Sequence, residues 1–287
     1  IADTLSLTTA LGYSKNKQIE LEAPLDGLAT DQLQGLVQLD WAMVDTLQSS
    51  WSSFVGISIN DNTTTLDNRS LPSDIPEIVR EPRTSYLKFG VNGAHQFNSY
   101  SLTTSAYFLQ GLNSFSNGRQ INEWEASGIT PTSAQAVGGI VSGSWWLTPT
   151  LRLDAKAAGQ MALNPLLPSM QFSLGSDIGL RGLPGQLTSG DSGWVTTAEL
   201  PWTLWKEDEQ AVQLVPFFGV GGVETTINPF SFSDTLGSTG AFVRYIPSSH
   251  WILELGYAHQ FETDDNPGPW EDWVLDDGLY AKASFRF

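Results

Sequence analysis

The chain has 287 residues, with 14 Lys+Arg against 31 Asp+Glu and a formal charge of −17. At 40% apolar and 11% aromatic residues it carries too much oily surface to remain disordered. With no cysteine and three histidines it has no disulfide framework, no thiolate zinc site and little His-based chemistry, and its excess of acid argues against nucleic acid as a partner.

No apolar run approaches the roughly 20 residues of a spanning helix, and no basic-then-apolar leader opens the chain. The first residue is Ile1, so the expectation is a processed or excised piece with any export signal upstream.

Helical spacing fails almost everywhere, while alternation of period two recurs. It begins with Leu5, Leu7, Leu11 and Tyr13, then Leu33, Val37, Leu39, Trp41 and Met43, then Val55, Ile57 and Ile59. Leu87, Phe89, Val91 and Phe97 follow, then Tyr100, Leu102, Ala106 and Phe108, each set interleaved with Ser, Thr, Gly, Asn or Gln. Further segments fall near 136–147, 150–161, 193–203, 211–222 and 237–247. Next, Trp251, Leu253, Leu255, Tyr257 and Phe261 oppose Glu254, Gly256, Ala258 and Gln260. The last segment sets Leu279, Ala281, Ala283, Phe285 and Phe287 against Tyr280, Lys282, Ser284 and Arg286, which makes about twelve strands.

Every second connection is long. Short ones fall near 45–50, 96–98, 148–150, 204–210 and 247–250, and long ones near 14–31, 61–83, 111–135, 162–192, 223–236 and 262–277. That asymmetry suits an antiparallel up-and-down barrel with tight turns on one rim and surface loops on the other. A soluble β-sandwich also alternates, but it would show charges at ordinary density on its outer face. Here the oily rows oppose small polar residues, and charges gather in the long loops. Trp51, Trp145, Trp146, Trp202, Trp205 and Trp251 lie at or beside short connections, as an aromatic belt at a membrane boundary would. The fold class predicted is therefore all-β, a transmembrane β-barrel over 1–287. Because an open edge in hydrocarbon would leave backbone groups unpaired, the sheet must close, with apolar rows on lipid and polar rows around a wet lumen.

The connection after Met161 differs from the others. It contains Leu180-Arg181-Gly182-Leu183, then Ser189-Gly190-Asp191 with Gly193, and leads to Glu199-Leu200. This resembles the loop of two-partner secretion outer-membrane transporters, the hemolysin activator and secretion family of the outer-membrane assembly and translocation superfamily. The likeness covers residues 150 to 287 with good motif density and extends more vaguely to the start.

The resemblance implies that the 162–192 loop folds into the lumen, where Arg181 meets an acid on the inner wall. A cation held there needs a partner to offset lost solvation. The family commonly keeps an Asp in a Phe-x-Asp-x-Gly stretch, but the matching stretch here is Phe217-Phe218-Gly219-Val220-Gly221. The candidate partners become Glu199, Glu254 and Asp154, with Glu199 preferred. The competing reading makes Arg181 an ordinary solvated loop residue. The closing strand, with Tyr280, Phe285 and Phe287, resembles the signal read by the outer-membrane assembly machinery.

Lys88, Arg152, Lys156, Arg244, Lys282 and Arg286 share the inner face with those acids, and mixed signs suit a hydrated passage better than a strongly ion-selective pore. The acids of 262–277 lack EF-hand spacing and read as a solvated surface loop, so no metal and no cofactor is expected. His95 and His259 fall on lipid-facing parity without a motif, so no catalytic residue is assigned.

The family builds a barrel of about sixteen strands behind two small periplasmic domains. The expectation is that this chain is the C-terminal barrel portion, with a complete smaller barrel as the other possibility. The function expected is a passive pore that secretes a large adhesin or hemolysin type exoprotein across the outer membrane of a Gram-negative-type bacterium, with the lipid bilayer as its surroundings. The final acidic loop is similar in style to cyanobacterial members. An outer-membrane insertase of the same superfamily and a general solute porin are the alternatives.

Overall fold

A computed structural model describes residues 4–17, 28–67, 69–183, 187–225, 231–262 and 278–285. The alternating segments become β1 (Leu5–Lys17), β2 (Leu28–Asp45), β3 (Ser49–Leu66), β4 (Arg69–Ser70), β5 (Arg83–Gln96), β6 (Tyr100–Leu112), β7 (Gln135–Trp146) and β8 (Arg152–Ala162). After them come β9 (Phe172–Leu174), β10 (Thr188–Gly190), β11 (Ser192–Glu199), β12 (Trp202–Glu207), β13 (Gln210–Thr225), β14 (Phe232–Ser248), β15 (Trp251–Glu262) and β16 (Gly278–Phe285). The principal sheet follows the path β1-β2-β3-β5-β6-β7-β8-β11-β13-β14-β15-β16, each strand antiparallel to the next, so all twelve expected segments form one meander.

Side-chain parity divides this sheet as the alternation predicts. Leu7, Val37, Val55, Phe89, Val141, Phe218, Val243 and Leu255 are exposed large apolar residues, with Leu255 at 62%. On the same strand as Leu255, Glu254 is only 7% exposed. In a sandwich the oily rows would be the buried ones. Here they are the open face, and the buried clusters form on the opposite face and under the long connections. The short-turn end carries the aromatic belt: Trp145 pairs with Tyr100, Tyr100 stacks on Phe97 at 4.5 Å, and Trp251 meets Phe285 at 4.7 Å.

Three local departures from the alternation have physical causes. The expected strand over 193–203 splits into β11 and β12 at Pro201, which has no N–H for the ladder, although both pieces pair with β13. The expected long connection at 223–236 is largely strand, because Val223 pairs with Asp234 and Thr225 with Phe232 beyond the apolar band. Two loops hold helices that period two does not reveal, α1 (Glu77–Arg80) and α2 (Gly118–Ala126). Asn117 starts α2, its side chain accepting the N–H of Gln120 at 2.8 Å.

The helices build a cap at the long-loop end. Trp124 and Ile129 bury against Leu109, Leu166, Leu167 and Met170, with Ile78 packed alongside. Glu123 Oε2 accepts the N–H of Ile78 at 3.0 Å, which fastens α1 to α2.

Candidate functional site

The connection after β8 is a folded hairpin. A 3-10 turn at Pro168–Met170 leads into β9, which pairs antiparallel with β10 so that Phe172 faces Gly190 and Leu174 faces Thr188. The base is fastened by Asp191, 2% exposed, whose Oδ1 accepts the N–H of Leu166 at 3.3 Å and Nε2 of Gln171 at 3.1 Å. Its Oδ2 accepts Thr225 Oγ1 at 2.8 Å. A carboxylate this deep is tolerable because donors replace the lost water. Gln160 adds to the clasp, donating from Nε2 to the carbonyls of Met170 at 2.8 Å and Asp191 at 3.1 Å.

The small residues of the motif are set by close approach. A Cβ at Gly190 would lie 2.6 Å from the Glu224 carbonyl oxygen, and one at Gly193 would lie 2.5 Å from the Phe172 ring. Ser189 Oγ reaches Gln171 Oε1 at 3.3 Å. Leu180 and Leu183 are buried with Phe172, Leu174, Val195, Val223 and Leu236. Between them Gly182 turns at φ +82°, where its missing side chain would collide with Ala258. Gln260 Nε2 donates to the Gly182 carbonyl at 2.6 Å.

This turn presents Arg181 to two acids at once. Its Nε donates to Glu199 Oε1 at 2.6 Å and its Nη1 to Glu254 Oε2 at 3.0 Å. Arg244 completes the square, with Nε 2.8 Å from Glu254 Oε1 and Nη2 3.7 Å from Glu199 Oε2. Both guanidinium groups stand over the Phe242 ring, at 4.3 Å for Arg181 and 5.2 Å for Arg244. Two cations and two anions cancel, so the group sits at low exposure without net charge.

The spacing of those acids also reports curvature. Glu199 is on β11 and Glu254 on β15, three strand intervals away along the sheet. At about 4.8 Å per interval a flat sheet would hold them some 14 Å apart. One guanidinium bonds both, so the wall bends around the hairpin and the buried face is the concave one.

Two of the three candidate acids therefore meet Arg181, and the third does not. Asp154 engages Arg152 Nη2 at 2.7 Å and Ser144 Oγ at 2.6 Å instead. It lies on β8, directly across from Glu199 and one strand farther from Arg181, so the nearer cation takes it. Gly219 faces inward, and the space a side chain would need there is filled by Leu180, whose Cδ2 would be 2.9 Å from an added Cβ. An Asp at 219 would have to displace that leucine, which accounts for the acids coming from other strands.

Among the remaining inner residues, Lys156 Nζ donates to the Ile178 carbonyl at 2.9 Å and Lys88 stands 4.2 Å over the Tyr107 ring. Lys282 pairs across from Glu254. Tyr280 points inward, its ring 6.0 Å from Phe242 and 6.3 Å from Phe217, while Phe285 is exposed on the outer face. Arg286, Phe287 and the acidic run after Glu262 lie outside the described residues. The sequence reading placed Arg244 inside but did not join it to Arg181, and it did not single out Phe242 or Gln160. The first turns on a bulge that the alternation does not show, since regular pairing from the turn before Trp251 would set Tyr245 opposite Glu254, and the register shift between Tyr245 and Ser248 brings Arg244 there.

A meander of membrane-length strands with an exposed apolar face, an aromatic belt and a hairpin on its concave wall is an outer-membrane β-barrel. The family model described as Haemolysin secretion/activation protein ShlB/FhaC/HecB matches residues 56–240, more than half of the sequence, and the chain belongs to that family. CdiB from Escherichia coli superposes with a TM-score of 0.70 at 18% identity, over 97% of this chain and 48% of that one. CdiB from Acinetobacter baumannii gives 0.65 at 14% identity, over 97% and 46% respectively. At these identities the likeness is one of fold, and the chain spans about half the length of either CdiB. A sequence search of curated proteins gave no match.

Proposed function

We propose that the chain forms the wall of an outer-membrane conduit that passes one large exoprotein, of adhesin or hemolysin type, in extended form from periplasm to cell surface. Nucleotide hydrolysis has no part in it, since the sequence holds no phosphate-binding motif, and folding of the emerging chain outside supplies direction. The 162–192 segment lies in the lumen, and Arg181 is the bolt that holds it. The last strand, with Tyr280, Phe285 and Phe287, is the part the assembly machinery reads. The observation that carries this reading is Arg181 joining β11 to β15 through Glu199 and Glu254, on a barrel of the secretion family.

A photocrosslinking residue at position 282, on the inner face of β16, tests it in living cells. The expected product joins the barrel to a single large exported polypeptide. Adducts with many outer-membrane proteins would make it an insertase, and a pore that passes ions without any polypeptide adduct would make it a porin; either result overturns the proposal.

A further inference from the structure

Between β3 and β8 the outer face of the wall sinks into a hollow of 490 Å³. Its floor is Ala106, Gly139, Gly159 and Ala157, which lie together because Ala106 pairs with Gly139, Gly139 with Gly159 and Val141 with Ala157. Larger outward side chains rise around it. Val91 and Trp51 stand on the side of β3 and Val141 toward the short turns. Two residues farther toward the long loops are Phe89, stacked against Phe108 at 5.2 Å, and the exposed Met161.

Four outward glycines on this wall are covered by rings: Gly93 by Trp51, Gly143 by Trp145, Gly222 by Trp194 and Gly237 by Phe261. In each case the ring fills the space that a bare backbone leaves beside its neighbours. Gly139 and Gly159 have no such cover. Trp194 pairs with Gly159 in the ladder but leans away to Gly222, and the atoms nearest a Cβ at Gly139 are backbone. Gly35 is also bare, but it stands alone between Leu11 and Ile59.

The hollow lies in hydrocarbon. Ala106 is six residues beyond Tyr100 of the belt, so about 20 Å along the strand and about 14 Å below the belt at a tilt near 45°. That depth is within the short-turn half of a core about 30 Å thick. An unfilled hollow there would forfeit the dispersion contacts of its lining. A protein partner fits badly, because a specific interface buries about 1,000 Å² or more and this recess gives way to ridges on every side. Thr104, at the edge toward the short turns, makes no hydrogen bond to protein among the described residues. The acceptor that a bilayer can bring to its hydroxyl is the ester carbonyl of a phospholipid.

We propose that this hollow is a phospholipid site, in which one acyl chain from the leaflet on the short-turn side lies on the floor of Gly139 and Gly159. The chain supplies the cover that rings supply elsewhere. On the other side of the same two strands Ile140 and Ala158 face the hairpin cluster, so lipid and hairpin grip one stretch of β7 and β8 from opposite sides.

The test reconstitutes the full chain in vesicles of phosphatidylethanolamine and phosphatidylglycerol, doped with a phosphatidylcholine that carries a diazirine in one acyl chain. Photoadducts should concentrate several-fold on residues 135–162 over the equally lipid-facing stretch around Leu255. Native mass spectrometry of the extracted protein should find one phospholipid retained per chain. Gly159→Leu, at a position where an added Cβ meets nothing nearer than 3.5 Å, fills the hollow with protein. It should lose the retained lipid and bring labelling down to the level around Leu255, with far-ultraviolet circular dichroism unchanged. Ala157→Leu fills the same hollow from the neighbouring position on β8 and should act alike. Even labelling around the wall, a parent that retains no lipid, or retention undiminished in both variants overturns the site. Recovery of the parent as a dimer that both variants disrupt would make the occupant a second copy and overturn it too.

Discussion

The two halves of the concave wall are built on one strand pattern and finished in opposite ways. Along β11 to β16 the inward side chains are consumed: Glu199, Glu254 and Arg244 by the ion square, Gln260 by the hairpin backbone, Val223 and Leu236 by Leu180 and Leu183. Along β3 to β7 the inward side chains are mostly short, and among the described residues those of Ser50, Ser52, Asn92, Ser105 and Ser142 make no hydrogen bond to protein. The polar concave face therefore does two jobs. One half holds a plug-like hairpin in a fixed place, and the other remains free to meet something else.

The largest effect that would blur this contrast is loss of the bolt. Arg181→Ala leaves Glu254, with a side chain 6% exposed, to Arg244 alone. Removing one partner of a buried pair costs about 3–5 kcal/mol, and the second arginine keeps the cost toward the lower end. Protease cleavage within the hairpin of the folded protein should rise steeply, and resistance equal to that of the parent would mean that the hydrophobic seat alone holds the segment.

A smaller effect is expected at the turn. Gly182→Ala puts a side chain at φ +82° and drives it into Ala258, so the hairpin should lose about 1–3 kcal/mol. Adding Ala258→Gly should recover the collision part and leave the backbone strain. Failure of the second change to recover anything would show that the two residues do not meet.

The smallest effect concerns the cap, which joins the hairpin base to α1 and α2 through the Trp124 cluster. Partial burial pushes the Glu123 carboxyl up, but the Ile78 N–H, Arg119 and the Glu77 N–H together hold it below the usual range. A depressed carboxyl contributes stability that is complete above its unfolded value of about 4.3 and disappears as pH falls through the folded value. Amide exchange in α2 should therefore speed up over that acid interval, and Glu123→Gln should abolish the pH dependence. An unchanged profile in the variant would assign the effect to another group.

Much of this was legible because a two-faced strand writes its faces into alternate residues. Leu253, Leu255 and Tyr257 against Glu254 and Gln260 fixed both the strand and its inside. Arg181 with its glycine-rich surroundings marked the hairpin. What did not show was geometry set across distance in the chain. Which acid meets Arg181 depends on how far the sheet bends between β11 and β15, so Asp154 and Glu254 looked equivalent until strand order separated them. The cap helix was hidden for another reason: α2 is short, and only its Asn117 cap with Gln120 three residues on signals it, inside a connection read as loop.

Spin labels placed one at a time along β6 and β15 in a bilayer test the central claim most directly, since the chain has no cysteine of its own to interfere. Positions 106 and 108 on β6 and 253, 255 and 257 on β15 should all be reached by lipid-dissolved oxygen. The account predicts that a water-soluble relaxant reaches 103 and 105 freely but is shut out at 254, 258 and 260, where the hairpin lies. Equal aqueous access on the inner faces of both strands, or loss of the period-two oxygen pattern, would contradict it.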